Sequence, residues 1–129
     1  MKTHKNPTLI KTRFALNFLR AMRRLNRSGP SDACQRFHAI RAAATASMAS
    51  AVGPRRAWSR AVLKKNRTRR AKNPRRDVSG LGQEDDLRVL VPGGQGLDFC
   101  QLLSESAHYI ECLRAQVQVM TDLLDRYSA

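Results

Sequence analysis

LRVLVPGGQGLDFCQLLSESAHYIECLRAQVQVMTDLLDRY, residues Leu87 to Tyr127, is the stretch that decides how this chain folds. Leu87, Leu90 and Val91 end a short apolar helix face at Pro92, and Gly93-Gly94-Gln95-Gly96 supplies a flexible connection. Beyond it, Leu103, Ser106, Ile110, Leu113, Val117, Met120, Leu124 and Tyr127 follow at alternating three- and four-residue steps. Read as the a and d positions of a heptad, all but Ser106 are apolar. A seam so narrow and long predicts pairing with another helix in preference to a broad monomer core, so the function expected is association. The residues expected at a dimer interface are Leu87, Leu90, Val91, Leu103, Ile110, Leu113 and Val117, extended by Met120, Leu124 and Tyr127. The competing arrangement buries these same residues against the chain's own N-terminal helices. The e and g positions Arg114, Gln116, Thr121 and Leu123 hold little charge, so no obvious charge pattern selects the partner.

Local signals frame this region. Glu84-Asp85-Asp86 put three acids in the first turn of the short helix, where the helix dipole favours negative charge. Asp98 is placed to cap the long helix. From Leu102 to Tyr127 there is neither Gly nor Pro, which predicts a helix of roughly 35 to 40 Å.

Charge divides the chain in two. Residues 1–76 carry 21 Lys/Arg against a single acid, Asp32, whereas residues 77–129 carry three Arg against nine acids. The basic half is suited to polyanions or acidic proteins and the acidic half is not. Cys34, Cys100 and Cys112 are an odd number without disulfide-framework spacing, in a chain with no secretory signal pattern, which points to a reducing compartment. No apolar run approaches the roughly 20 residues of a membrane span, so a soluble protein is expected.

Outward from the seam, three further helices are predicted. Pro7 to Asn26 is a basic amphipathic helix with Leu9 or Ile10, Phe14, Phe18, Met22 and Leu25 on one face. Asp32 opens a second helix that ends near Gly53-Pro54; its alanine and serine face buries little area and is expected to form only when packed. A third short helix follows Pro54 and contains Trp58, expected to pack on Val62 or on the first helix. Lys64, Lys65, Arg67, Arg69, Arg70, Lys72, Arg75 and Arg76 then form a basic cluster, read either as a nuclear-import signal or as a nucleic-acid arm. Residues 77–83, rich in Ser and Gly, are the expected junction. The fold class expected is all-α and partly disordered. Its units are a basic amphipathic helix at 1–30, an Ala-rich helix and basic segment at 31–76, the junction at 77–83, and a helix-loop-helix dimerisation region at 84–129.

Leu87-Arg88-Val89-Leu90-Val91-Pro92-Gly93-Gly94, with Leu102 to Ile110 and Leu113 to Met120, resembles a plant helix-loop-helix region. Pro54 to Ala61 and Phe14 to Ala21 are similar to a narrower group, the atypical plant bHLH proteins called INCREASED LEAF INCLINATION-binding bHLH and their relatives. The resemblance is carried by residues 84–127, 9–25 and 54–65; the middle of the chain adds nothing to it. It implies a nuclear transcriptional regulator that does not bind the E-box, heterodimerises with bHLH activators or small helix-loop-helix proteins, and restrains cell elongation in brassinosteroid-linked signalling.

The residues bear on one part of this independently. A DNA-binding bHLH needs a basic helix continuous with its first helix. Counted back from Val91, the position where E-box readers place a glutamate is Asn73, with Pro74 beside it and Gly80 and Gly82 further on. Proline inside a helix costs about 3 kcal/mol and glycine about 1 kcal/mol relative to alanine. Asparagine also lacks the carboxylate that accepts from cytosine N4. Specific DNA binding is therefore not expected, although the basic segment could hold phosphates without sequence preference. A basic protein that binds nucleic acid without specificity is the alternative.

Other motifs are weaker. Gly93-Gly94-Gln95 matches the tripeptide of peptide-chain release factors, but three residues between two helices carry little specificity. Cys100, His108 and Cys112 match no common zinc spacing, and Ser104 with His108 lacks a third orienting group. No catalytic activity, cofactor or metal is expected.

Overall fold

The computed structural model describes residues 6–67 and 82–128. It is all-α, as expected, with α1 Pro7–Ser28, α2 Ala33–Val52, α3 Ala57–Arg67, α4 Gln83–Leu90 and α5 Phe99–Ser128, and no strand among the described residues. Helices α1, α2 and α5 begin where a nearby side chain satisfies a free backbone N–H group. Asn6 accepts from the Thr8 N–H at 3.0 Å ahead of Pro7, whose missing N–H costs nothing in the first turn. Asp32 accepts from the Gln35 N–H at 3.1 Å. At α5, Asp98 Oδ1 accepts from the Gln101 N–H at 2.8 Å while Gln101 Oε1 accepts from the Asp98 N–H at 3.3 Å, a reciprocal capping box. Gly53, at φ 85°, ends α2 in a conformation that L side chains rarely adopt.

Helices α1 and α2 form an antiparallel hairpin. Arg36 donates to Asn26 at 2.5 Å near the turn, and Asn17 donates to the Ser47 carbonyl at 3.4 Å further along. Partner numbers that fall on one helix as they rise on the other require opposite directions. The apolar face expected on α1 is the buried one: Phe14 and Phe18 lie 5.7 Å apart in the core, with Ile10 and Met22 packed at its edge, while Leu9 is exposed.

The second helix departs from its expected weakness. Ala44, Ser47, Met48, Ala49, Ala51 and Val52 are all buried, and α2 packs against α1, α3 and α5. Small side chains bury little area each, but they let three helices approach one backbone, which periodicity of large residues does not reveal. Trp58, Val91, Leu102 and Cys112 complete one continuous core that joins the N-terminal helices to the C-terminal pair. Fully burying Phe14, Met48, Trp58 or Leu102 contributes about 1.5 to 3 kcal/mol each.

The long helix is longer than predicted, 30 residues from Phe99 to Ser128, about 45 Å. The glycine connection is also more ordered than predicted. Gly94–Gly96 form a 3₁₀ turn, and Arg88 of α4 donates to the carbonyls of Gly94, at 3.0 Å, and Leu97, while also pairing with Glu84 at 2.7 Å. Gly93 sits at φ 73° against α3, where an added Cβ would lie 2.9 Å from the Ala61 methyl.

Candidate dimerisation interface

Helix α5 carries two apolar stripes side by side. The inner one runs through Leu102, Tyr109, Cys112, Val119 and Met120 and packs into the chain's own core. The outer one contains Leu103, Ile110, Leu113, Val117, Leu124 and Tyr127, and all six are exposed, Val117 and Leu124 by 62% and 67%. These are seam residues singled out by their spacing, and the N-terminal helices do not cover them. Two seam positions fall on the border with the inner stripe. Ser106 is buried, donating to the Leu102 carbonyl at 2.6 Å, and Met120 is half-buried.

Helix α4 divides differently. Leu90 is 72% exposed and continues the open surface, while Leu87 is half-buried and Val91, at 4% exposure, belongs to the core. Val91 therefore supports the surface from beneath rather than lining it. Phe99, exposed at the start of α5, was missed in the sequence; it lies one helical turn before Leu103, and the seam extended back by four residues would have found it. From Phe99 to Tyr127 the open stripe is about 42 Å long.

A polar junction fixes α5 against α3. Glu105 is 7% exposed on α5, and its Oε1 accepts from the Trp58 N–H at 2.9 Å. That N–H lies in the first turn of α3, where backbone donors have no partner within the helix. Its Oε2 pairs with Arg56 at 3.2 Å, so one carboxylate meets both a helix N-terminus and a guanidinium. Trp58 is buried in the core that also holds Phe14 and Phe18 of α1, with Val62 packed against it, and it makes contacts not expected from the sequence: its indole N–H donates to His108 Nδ1 at 2.9 Å and its ring lies 5.0 Å from that of Tyr109, both on α5. Burial, then the nearby Arg56 charge, lowers the His108 pKa below its ordinary 6.5, which keeps the acceptor nitrogen neutral. Cys112 Sγ lies 3.7 Å from the same nitrogen, and burial pushes its thiol up to about 11.

The weaker motifs take ordinary places. His108 is engaged by Trp58 and Cys112, while Cys100 and Ser104 are exposed. Among the described residues no cluster of three or more His, Cys, Asp or Glu is arranged to hold a metal. No helix there is long and apolar enough to cross a membrane. Within the basic cluster, Lys64 is exposed on α3, and Lys65 and Arg67 belong to the same helix. Arg69, Arg70, Lys72, Arg75 and Arg76 lie outside the described residues, as do Asn73, Pro74 and most of the expected junction. Gly82 is extended and α4 begins only at Gln83, so the first helix of the pair does not run back unbroken into the basic segment.

Over the described residues the protein is helical: α1, α2 and α3 supply most of the core, and a short helix, an ordered loop and a long helix bearing an open stripe complete it. Residues 7–70 match the family model described as IBH1-like, N-terminal domain. The chain is 35% identical to Transcription factor IBH1 of Oryza sativa subsp. indica, over 88% of this chain and 77% of that protein. It is 34% identical, over the same shares, to Transcription factor IBH1 of Oryza sativa subsp. japonica. The chain belongs to the IBH1-like family, whose named relatives are transcription factors. No solved structure matches it. The family model takes in α1, α2 and α3, so it includes the middle of the chain, where the sequence by itself offered no resemblance.

Proposed function

We propose that this protein is an atypical helix-loop-helix transcriptional regulator that pairs with bHLH activators through α4 and the outer stripe of α5 and withholds them from DNA. The observation that carries this reading is the open apolar stripe beside a filled inner one. The chain has covered the face it needs for its own stability and left a second, contiguous face uncovered. Contiguous apolar surface rimmed by polar residues marks interaction sites.

In a bHLH pair two helix-loop-helix units form a parallel four-helix bundle that directs two basic helices into the DNA half-sites. A partner bound here would keep only its own arm, because the helical path from α4 toward the basic segment is interrupted at Gly82. With good base contacts worth about 1 to 3 kcal/mol each, losing one arm lowers specific affinity by orders of magnitude. The basic cluster from Lys64 to Arg76 is assigned to nuclear import. Restraint of cell elongation in brassinosteroid-linked signalling is the role that the family resemblance implies.

The test is an E-box gel-shift titration in which this protein is added to a bHLH activator, with Ile110→Glu and Leu113→Glu variants beside it. Loss of the activator complex with the native chain, and none with either variant, is the expected pattern. Both positions are exposed, so helicity should be unchanged while an unpaired carboxylate blocks pairing. Displacement by the variants as strong as by the native chain would refute the interface.

A further inference from the structure

Helix α1 carries a surface that the helix-loop-helix does not use. Arg13, Arg20, Arg23, Arg24 and Arg27 are all exposed on it, and α1 contains no acid. Among the described residues, none of these five guanidinium groups has an ion-pair or hydrogen-bond partner. At 3.6 residues per turn, Arg13, Arg20, Arg24 and Arg27 fall within an arc of roughly 60° and span about 21 Å of a helix. They lie opposite the buried Phe14 and Phe18, so binding a ligand there disturbs no core contact. The surroundings add to the field: residues 6–67 contain one acid, Asp32, already engaged in capping α2.

A row of arginines on a rigid helix, unopposed by carboxylates, is a site for a linear polyanion. Guanidinium groups match phosphate oxygens with paired donors. A binder of single-stranded nucleic acid would also need exposed aromatic rings as stacking platforms. Here Phe14 and Phe18 are core and Trp58 is 1% exposed against Tyr109. We infer that the outer face of α1 binds the phosphate backbone of duplex DNA without sequence preference. The contact uses none of the residues of the basic cluster after α3 or of the stripe on α5. Such a contact leaves base sequence unread.

The experiment measures binding of the full chain, with no partner present, to a random-sequence duplex by fluorescence anisotropy between roughly 50 and 200 mM KCl. The comparison is a variant with Arg13→Gln, Arg20→Gln, Arg24→Gln and Arg27→Gln together. Each phosphate contact adds about 0.9 to the slope of log affinity against log salt, so the variant's slope should be shallower by about 3 to 4. If far-UV helicity shows that the fourfold variant is misfolded, the pair Arg20→Gln and Arg27→Gln replaces it, with an expected change of about 2. An unchanged slope overturns the inference. So does tighter binding to single-stranded DNA than to duplex, or an equal loss of binding to poly-glutamate, which would make the face a site for acidic proteins. Because no helix-loop-helix partner is present, failure here leaves the dimerisation reading standing.

Discussion

Replacing Glu105 with alanine should loosen the whole molecule, because this one carboxylate ties α3 to α5. Its bond to the Trp58 N–H, 2.9 Å and buried, is charge-assisted, and such bonds contribute about 1.5 to 3 kcal/mol. The pair with Arg56 adds less: that side chain is 34% exposed, and solvent screening holds such pairs to about 0 to 1 kcal/mol. Glu105→Ala is therefore expected to destabilise by about 2 to 3 kcal/mol. Glu105→Gln keeps an oxygen facing the Trp58 N–H and should lose about 1 kcal/mol. Trp58 is the only tryptophan and is buried at the junction, so a urea titration followed by its emission reads the contact directly. At a slope of about 1 to 3 kcal/mol per molar urea, the alanine variant's midpoint should fall by roughly 0.7 to 3 M. An alanine variant within about 0.5 kcal/mol of the native chain would refute the junction, given that ordinary surface substitutions stay inside that range. A glutamine variant as unstable as the alanine one would show that charge, not the cap on α3, sets the energy.

Acid should weaken the same junction through His108. Its folded pKa lies below 6.5, so the folded state binds fewer protons than the unfolded one, and the contribution present above that value is lost as pH falls toward the lower folded pKa. Thermal melts at neutral and mildly acidic pH should show this loss, and His108→Gln should reduce it. With its pKa near 11, the Cys112 thiol should resist alkylation at mildly alkaline pH while the exposed Cys34 and Cys100 react; mass spectrometry before and after urea distinguishes them. Gly93→Ala should cost about 1 kcal/mol or more in the same urea titration, since it combines φ 73° with a 2.9 Å approach to Ala61.

What was legible in the sequence was what a few neighbouring residues determine. Asp32, Gly53 and Asp98 marked helix ends because capping is local, and the 3.5-residue spacing of Leu103 to Tyr127 marked a seam. Spacing could not say that α5 has a second apolar stripe beside the first, which is why Ser106 and Met120 fell on the wrong side of the boundary. The α2 core was hidden because alanine and serine give little periodic contrast. Trp58 and Glu105 stand 47 residues apart, and a helix N-terminus capped by a carboxylate from another helix leaves no local trace. Buried Val91 and exposed Leu90 are adjacent and equally apolar, so residue type alone does not tell them apart.

For the proposed pairing, Arg88 bears on how fast a partner would be taken up. By gathering the Gly94 and Leu97 carbonyls and the Glu84 carboxylate, one guanidinium closes the hairpin between α4 and α5. Many regulatory segments fold only as they bind, and ordering them then subtracts several kcal/mol from the interaction. Here the loop between α4 and α5 is already tied to both helices by the Arg88 contacts. On the proposed dimerisation reading, an arriving helix would meet a surface already assembled, and its capture rate would be set by diffusion and orientation and not by a folding step.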